Sequence, residues 1–348
     1  MNQERPVETV ALYGGGGFIG SHLTRRLVDR YQLEVIDISD EKLTGVLDHP
    51  NLSFYNIDIT NSTNDAFCRE IVEKSDLVID LIAYANPQQY IDIPLDVVEL
   101  NYEQNLKLVE ACADANVWLM QFSTCEVYGK VGSRIDDEAV FSEDTSDLIM
   151  GPIEEHRWIY ATAKQLLERM VHAHGLKNDL EWTIIRPFNF VGPRMDYIVE
   201  SPSEGTPRVF ASFMSALLFD HEIQLVDGGT NRRTFTDIED AVNAIEMIIE
   251  HLYQFRGEVV NIGTPRNETT IRGFAEMMCG VYEELSPVGD TPPINSVPAK
   301  EFYGEGYADV ERRVPDVEKL RSVGWTPQYN LRETVERTVS YYISEYER

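Results

Sequence analysis

The chain has 348 residues with a formal net charge of −29 and 43% apolar residues. The length suits two domains or one large domain with an appended lobe, and the apolar share is enough for a sizeable core. So acidic a surface makes nucleic acid and anionic membrane poor partners. No apolar run approaches the ~20 residues of a membrane span, and the N-terminus carries no signal-peptide pattern. The four cysteines, Cys68, Cys112, Cys125 and Cys279, form no C-x-x-C pair and no dense framework. Reduced thiols, a cytoplasmic location and no metal site are the expectation.

In chain order, "VETVALYGGGGFIGSHLTRRLVDR" reads as strand, glycine turn and helix. "LEVIDIS", "LSFYNIDIT" and "DLVIDLIAY" read as the second to fourth strands, "NVWLMQFSTCEVYG" and "LEWTIIRPFNFVG" as the fifth and sixth. Helical patterns cover 91–116 and 160–175. Strands alternating with helices predict an α/β fold, a doubly wound parallel sheet of the Rossmann type. Beyond residue 195 the pattern loosens into the Pro-, Gly- and Ser-rich "GPRMDYIVESPSEGTPR", followed by "EIQLVDGG", "RRTFTDIEDAVNAIEMIIEHL", "EVVNIGTP" and "YGEGYADVERRVPD". We expect a dinucleotide-binding domain over 1–190. Over 191–348 we expect mainly a smaller α/β substrate lobe, with the chain crossing back to the first domain.

Gly14, Gly17 and Gly20 form G-x-x-G-x-x-G between a strand and a helix. Glycines there let backbone approach a pyrophosphate, which the helix N-terminus stabilises. Phe18 and Ile19 belong to the same turn. The second strand runs into Asp37, where a carboxylate accepts from an adenosine 2′-hydroxyl and repels a 2′-phosphate. NAD is thus favoured over NADP, unless Asp37 only caps a turn. Asp58 and Ile59, at the end of the third strand, are placed to meet the adenine, and Leu81 ends the fourth.

Tyr160 and Lys164 give Y-x-x-x-K, one face of a helix. An ammonium beside a phenol favours the phenolate, so Tyr160 can act as a base nearer neutral pH. Thr124, closing the fifth strand, can hold a substrate hydroxyl while Tyr160 removes its proton.

With these residues in place the sequence resembles the extended short-chain dehydrogenase/reductase family, which acts on nucleotide sugars. The resemblance covers nearly the whole chain. It implies bound NAD, a UDP-sugar substrate and a homodimer built on the helices near 101–116 and 160–175. "FSTCEVYGK" sorts the subfamilies: Glu126 is present, and the aspartate that 4,6-dehydratases carry before it is replaced by Cys125. "GPIEEHRWIYATAKQLLER", "RPFNFVGPRMD", "LVDGGTNRRTFTDI", "PSEGTPRV" and "KEFYGEGY" are similar to the UDP-glucuronate decarboxylases and, more closely, to the UDP-apiose/UDP-xylose synthases. That likeness implies that Arg313 faces the substrate carboxylate, that Glu126 assists decarboxylation or reprotonation, and that Arg157 is an active-site arginine. It also implies that Asn189, Arg208, Arg233 and Tyr307 meet the diphosphate or uracil. The apiose-forming members carry a second cysteine where this chain has Ala85, which weighs against apiose as the main product. Cys125 itself has a simpler reading as a buried apolar filler. The expected activity is oxidative decarboxylation of UDP-glucuronate through a UDP-4-keto sugar, giving UDP-xylose, a UDP-4-ketopentose or UDP-apiose. The alternatives are a nucleotide-sugar 4-epimerase and a non-catalytic nucleotide-binding regulator.

Overall fold

The computed structural model describes residues 6–133, 140–201, 204–286, 290–305 and 307–346. Met1–Arg5, Pro202 and Ser203 of "PSEGTPRV", and Gly306 of "YGEGY" lie outside these. Six strands follow the chain order read from the sequence: β1 (Thr9–Tyr13), β2 (Gln32–Asp37), β3 (Leu52–Asn56), β4 (Leu77–Asp80), β5 (Trp118–Phe122) and β6 (Trp182–Pro187). All pair in parallel, in the spatial order β3-β2-β1-β4-β5-β6. A seventh parallel strand, Glu258–Ile262, comes from the second half of the chain and pairs outside β6. The doubly wound α/β expectation holds.

The sheet is covered on both faces, which is why β5 reads as an almost unbroken apolar run and is buried at every position. Leu12, Val35 and Met120 face one layer, with Leu23 and Ile245 of the helices Phe18–Leu27 and Ile238–Glu250. Ala11, Val78 and Leu119 face the other, with Val109 and Leu167 of the helices Asn105–Ala115 and Trp158–Asn178. The strand order turns back between β1 and β4, so a crevice opens there at the carboxyl ends of the strands.

Four details differ from the sequence reading. The 91–116 pattern is not one helix. Pro87 and Pro94 each open a short new one, because proline supplies no N–H for continuing the preceding turn, and a π-helical turn, Glu99–Gln104, precedes Asn105–Ala115. β4 stops at Asp80, whose own Oδ1 accepts the Ile82 N–H at 3.0 Å. β3 stops at Asn56, so Asp58 and Ile59 lie just past the strand rather than in it. The sixth segment breaks at Asn189 (φ 40°), and Phe190–Val191 pairs instead with Thr236–Asp237.

Beside the crevice, Arg232–Thr234 is the central strand of a small three-stranded sheet. Glu268–Thr270 pairs with it antiparallel and Arg312–Arg313 in parallel.

Candidate active site

The glycine turn is shaped by close backbone contact. Gly14 has φ +83°, and a Cβ on Gly20 would lie 2.2 Å from the Gly14 carbonyl oxygen, so no side chain fits there. The helix that starts at Phe18 has Gly17 as its N-cap, with no side-chain cap and no acidic residue in its first turn. Its leading N–H groups are free of side-chain acceptors, an arrangement that fits a phosphate. The Gly16 N–H donates to Asp37 Oδ2 at 2.8 Å, which ties the turn to the end of β2, while Asp37 Oδ1 accepts from the Ile38 N–H at 2.7 Å. Phe18, Ile19 and Leu81 line the cleft that continues from the turn. These residues together fit a dinucleotide. Asp58 is less available than expected, since its Oδ1 accepts from both the N–H and the hydroxyl of Thr60. Ile59 packs against the apolar layer around Tyr13 and Ile71.

At the other end of the cleft, Thr124 caps a 3-10 turn, Cys125–Tyr128, by accepting the Glu126 N–H at 3.1 Å. This local bond presents Thr124, Cys125 and Glu126 to the cleft in succession. Tyr160, buried, stacks on Tyr90 with centroids 4.8 Å apart and an interplanar angle of 9°. Burial and the Glu126 charge push the Tyr160 phenol well above its ordinary value, against a hydrogen bond from Thr124 and the charge of Arg208. Lys164 is 1% exposed and donates to the Phe122 carbonyl at 3.0 Å. Lys164 spends one donor on main chain, and burial opposes ionisation of the Tyr160 phenol.

Glu126 is gripped by two arginines. Arg157 donates to it through Nη2 at 2.7 Å and Nε at 3.2 Å, and Arg313 through Nη1 and Nη2, the latter at 3.0 Å. Despite burial, these charges hold the Glu126 carboxyl down to about 2. Removing one partner from so buried a pair typically costs about 3–5 kcal/mol. Arg313 thus faces Glu126 as its direct partner. Cys125 is buried beside Val127 and Phe188. Burial pushes its thiol up, opposed first by Arg313.

The sequence reading missed Asp309. Its Oδ1 lies 2.6 Å from Arg233 Nη2, 3.4 Å from Arg313 Nη2 and 3.6 Å from Arg157 Nη2, and its Oδ2 accepts from Asn231 at 2.9 Å. Three guanidinium groups against the carboxylates of Glu126 and Asp309 leave one positive charge. Arg233, expected at the diphosphate or uracil, lines the cleft and sits inside this cluster. A register pairing places it there: Arg233 and Arg313 oppose one another on adjoining strands. Tyr307 accepts from Arg157 Nη1 at 3.2 Å and stacks on Tyr303 at 4.1 Å. Asn189 donates to the Thr234 carbonyl at 2.8 Å, and Arg208 pairs with Asp196 at 3.3 Å. Both line the cleft, as does Ala85. Tyr90, Tyr303 and Asp196 also escaped notice. No spacing marks them in the sequence, although Asp309 falls inside the "YADVERR" stretch whose arginine drew attention.

The model of the NAD dependent epimerase/dehydratase family matches residues 10–263. The chain is 41% identical over 357 residues to the UDP-D-apiose/UDP-D-xylose synthase of Oryza sativa subsp. japonica, spanning 96% of this chain and 88% of that protein. It is 41% identical over 362 residues to UDP-D-apiose/UDP-D-xylose synthase 1 of Arabidopsis thaliana, spanning 97% and 92%. Among solved structures, the PbgP3 protein from Burkholderia pseudomallei superposes with a TM-score of 0.85 at 32% identity, over 98% of this chain and 97% of that one.

Proposed function

Because the chain belongs to the NAD dependent epimerase/dehydratase family, we propose that it is an NAD-dependent enzyme that decarboxylates UDP-glucuronate through a UDP-4-keto sugar. The products in this reading are UDP-xylose, a UDP-4-ketopentose or UDP-apiose. The observation that carries it is the Glu126–Arg313 pair set beside Thr124 and Tyr160, in a chain 41% identical to synthases of UDP-apiose and UDP-xylose.

In this reading Gly14, Gly17, Gly20, Phe18, Ile19, Asp37 and Leu81 hold the dinucleotide, and Tyr160 and Lys164 serve its nicotinamide end. Asp58 and Ile59 flank the adenine. NAD bound there would supply a hydride acceptor for C4. Thr124 holds the C4 hydroxyl, and the Tyr160 phenol, once ionised, takes its proton. Oxidation at C4 makes the uronate a β-keto acid, whose bond from C5 to the carboxylate breaks readily. The single excess positive charge among Arg157, Arg233 and Arg313 matches the one carboxylate the substrate brings. Glu126, a carboxylate at neutral pH, aligns Arg157 and Arg313 for that exchange and stands next to the carbon that must regain a proton. Cys125, between Thr124 and Glu126, is placed to influence how the ketopentose is partitioned. Asn189, Arg208 and Tyr307 extend the same cleft toward the diphosphate and uridine. A 4-epimerase has no use for the Glu126–Arg313 pair, and an idle binder has none for Thr124, Tyr160 and Lys164 in one cleft.

We further read the chain as an NAD-binding part over 1–190 and a sugar-nucleotide lobe over 191–348, with Glu258–Ile262 returning to the first. A cytoplasmic homodimer through the helices Asn105–Ala115 and Trp158–Asn178, the second carrying exposed Leu166 and Leu176, completes the proposal. No helix among the described residues is long and apolar enough to cross a membrane.

The test is NMR of 13C-labelled UDP-glucuronate with the protein and NAD. Labelled CO₂ and a UDP-pentose are expected. Conversion to UDP-galacturonate without CO₂ would overturn the reading.

A further inference from the structure

We propose that Asn261, in the outermost strand Glu258–Ile262 of the large sheet, is a positioning residue for the Glu126–Arg313 pair. Its side-chain amide ties the turn that carries Glu126 to the segment that carries Arg313. The inference rests on the reading above, in which that pair serves decarboxylation. Asn261 is 0% exposed and lies outside the cleft lining, so it acts only through other residues. Tyr128, two residues after Glu126 and also 0% exposed, donates its hydroxyl to Asn261 Oδ1 at 2.9 Å. Asn261 Nδ2 donates to the carbonyl of Asp316, three residues after Arg313, at 3.2 Å, and to the Phe141 carbonyl at 2.8 Å. One amide, with two N–H donors and an acceptor oxygen, therefore grips both sides of an ion pair whose partners lie 187 residues apart.

Phe141 bridges the two sides. Its ring stacks on Tyr128, with centroids 4.7 Å apart and 18° between the planes. Its N–H donates to the Val314 carbonyl at 2.7 Å, and its carbonyl accepts from the Asp316 N–H at 2.8 Å. Pro315, between them, presses on the exit of the outer strand: a Cβ on Gly263 would lie 2.5 Å from Pro315 Cγ. The sheet fixes Asn261 in turn. Its register partner on β6 is Arg186. The Arg186 guanidinium lies 4.7 Å from the Tyr128 ring centroid and forks onto Glu168, in the helix of Tyr160, at 2.9 and 2.7 Å. The Asn261 N–H is taken by Glu143 Oε1 at 2.8 Å. The two carbonyls also set the direction of the amide, since a reversed amide would turn its oxygen on both. Leucine offers them no donor, and a carboxylate sets oxygen against oxygen, so each leaves buried polar groups unpaired. Slack at Asn261 lets Arg313 drift from Glu126, while Tyr160 and the glycine turn, held by other contacts, stay in place.

The test uses Asn261→Leu, which roughly keeps the volume and removes the side-chain bonds. Without ligand, hydrogen exchange read by mass spectrometry should quicken in peptides over 125–130 and 312–317 and stay native over the glycine turn. With UDP-glucuronate and NAD, CO₂ release should slow by about 10- to 100-fold, the scale of a misplaced reacting group. Near-ultraviolet absorbance, which reports C4 oxidation, should rise at a near-native rate. A merely weakened fold slows both together. In a Glu126→Gln background the same change should cost CO₂ release little more, because the pair it positions is already broken. If Asn261→Leu does not fold, Tyr128→Phe, which keeps the stack on Phe141, should show the same pattern at smaller size. Equal slowing of both steps, an additive loss in Glu126→Gln, or native exchange over 312–317 overturns the proposal. If the native protein releases no CO₂ from UDP-glucuronate, the decarboxylase reading falls, and the exchange pattern alone decides the role of Asn261.

Discussion

Arg233 and Arg313 are register partners on adjoining parallel strands, and one oxygen of Asp309 lies within 3.4 Å of both guanidinium groups. Two like charges directly opposite one another on a sheet repel. Here the repulsion is absorbed by Asp309, whose carboxyl the surrounding arginines hold far below its ordinary value. The pairing turns two short strands into a focused cationic surface in a protein of net charge −29.

Glu126→Gln and Arg313→Lys should each slow CO₂ release by about 10²-fold or more while changing UDP binding much less. Lysine cannot reproduce the planar fork, and glutamine leaves the arginines short of one negative charge. The check is CO₂ evolution beside UDP titration calorimetry. Native CO₂ release in either variant removes that residue from the decarboxylation step.

Tyr160→Phe should lower turnover by ~10²–10⁴, the usual worth of a positioned general base, and leave NAD affinity largely intact. The phenylalanine keeps the stack on Tyr90. Rapid-quench turnover and fluorescence titration with NADH separate the two effects, and near-native turnover would exclude the phenol as base.

Asp37→Ala should weaken NAD and narrow the gap to NADP, because one ribose acceptor and one charge that repels a 2′-phosphate disappear together. It also frees the Gly16 N–H, so the glycine turn loosens. Dissociation constants for the two dinucleotides test this. A native protein that already binds both equally well contradicts the assignment of Asp37.

Stability should carry a pH signature from Glu143. The Asn261 N–H donates to it at 2.8 Å, and burial pushes its carboxyl up to about 7 from 4.5. A raised carboxyl binds a proton in the folded state that the unfolded state has already lost. Its contribution is complete below 4.5 and is lost as pH rises through about 7. Glu126, held down to about 2, works oppositely: its contribution is present above the ordinary carboxylate range and disappears only as pH falls toward that value. Melting temperature against pH in native protein and Glu143→Gln isolates the first window. An unchanged slope between 4.5 and 7 in Glu143→Gln would assign that slope to other groups.

The nucleotide end was legible in sequence because its signals are local. Gly14, Gly17, Gly20 and the strand that runs into Asp37 fall in one strand-turn-helix-strand unit, and Y-x-x-x-K is a helical spacing. Glu126 was visible for a similar reason, following Thr124 at a strand exit. What Glu126 touches was not visible. Its partners lie 31 and 187 residues away in sequence, and they meet only through packing. The contact of Arg233 with Asp309 was not visible either, because a two-residue strand pairing leaves no periodicity to read. Asp309 and Tyr90 were missed on the same ground, since a carboxylate among arginines and a ring on a ring are products of tertiary contact. The long pattern over 91–116 misled because apolar spacing persists across Pro94, whereas the hydrogen-bond ladder does not.

The outermost strand of the large sheet, Glu258–Ile262, has a bearing on synthesis. β6 is made some seventy residues before its partner, and five of its six positions are buried in the finished protein. A nascent chain that has emerged only through β6 therefore presents an apolar strand with an open hydrogen-bonding edge, the kind of edge that recruits other chains. Closure waits for the intervening loop, two helices and their short strands to leave the ribosome. Truncation near residue 190, or a long pause before residue 262, would leave β6 with its edge unprotected. Expressed alone, the half that ends at β6 is a candidate for aggregation rather than an autonomous module.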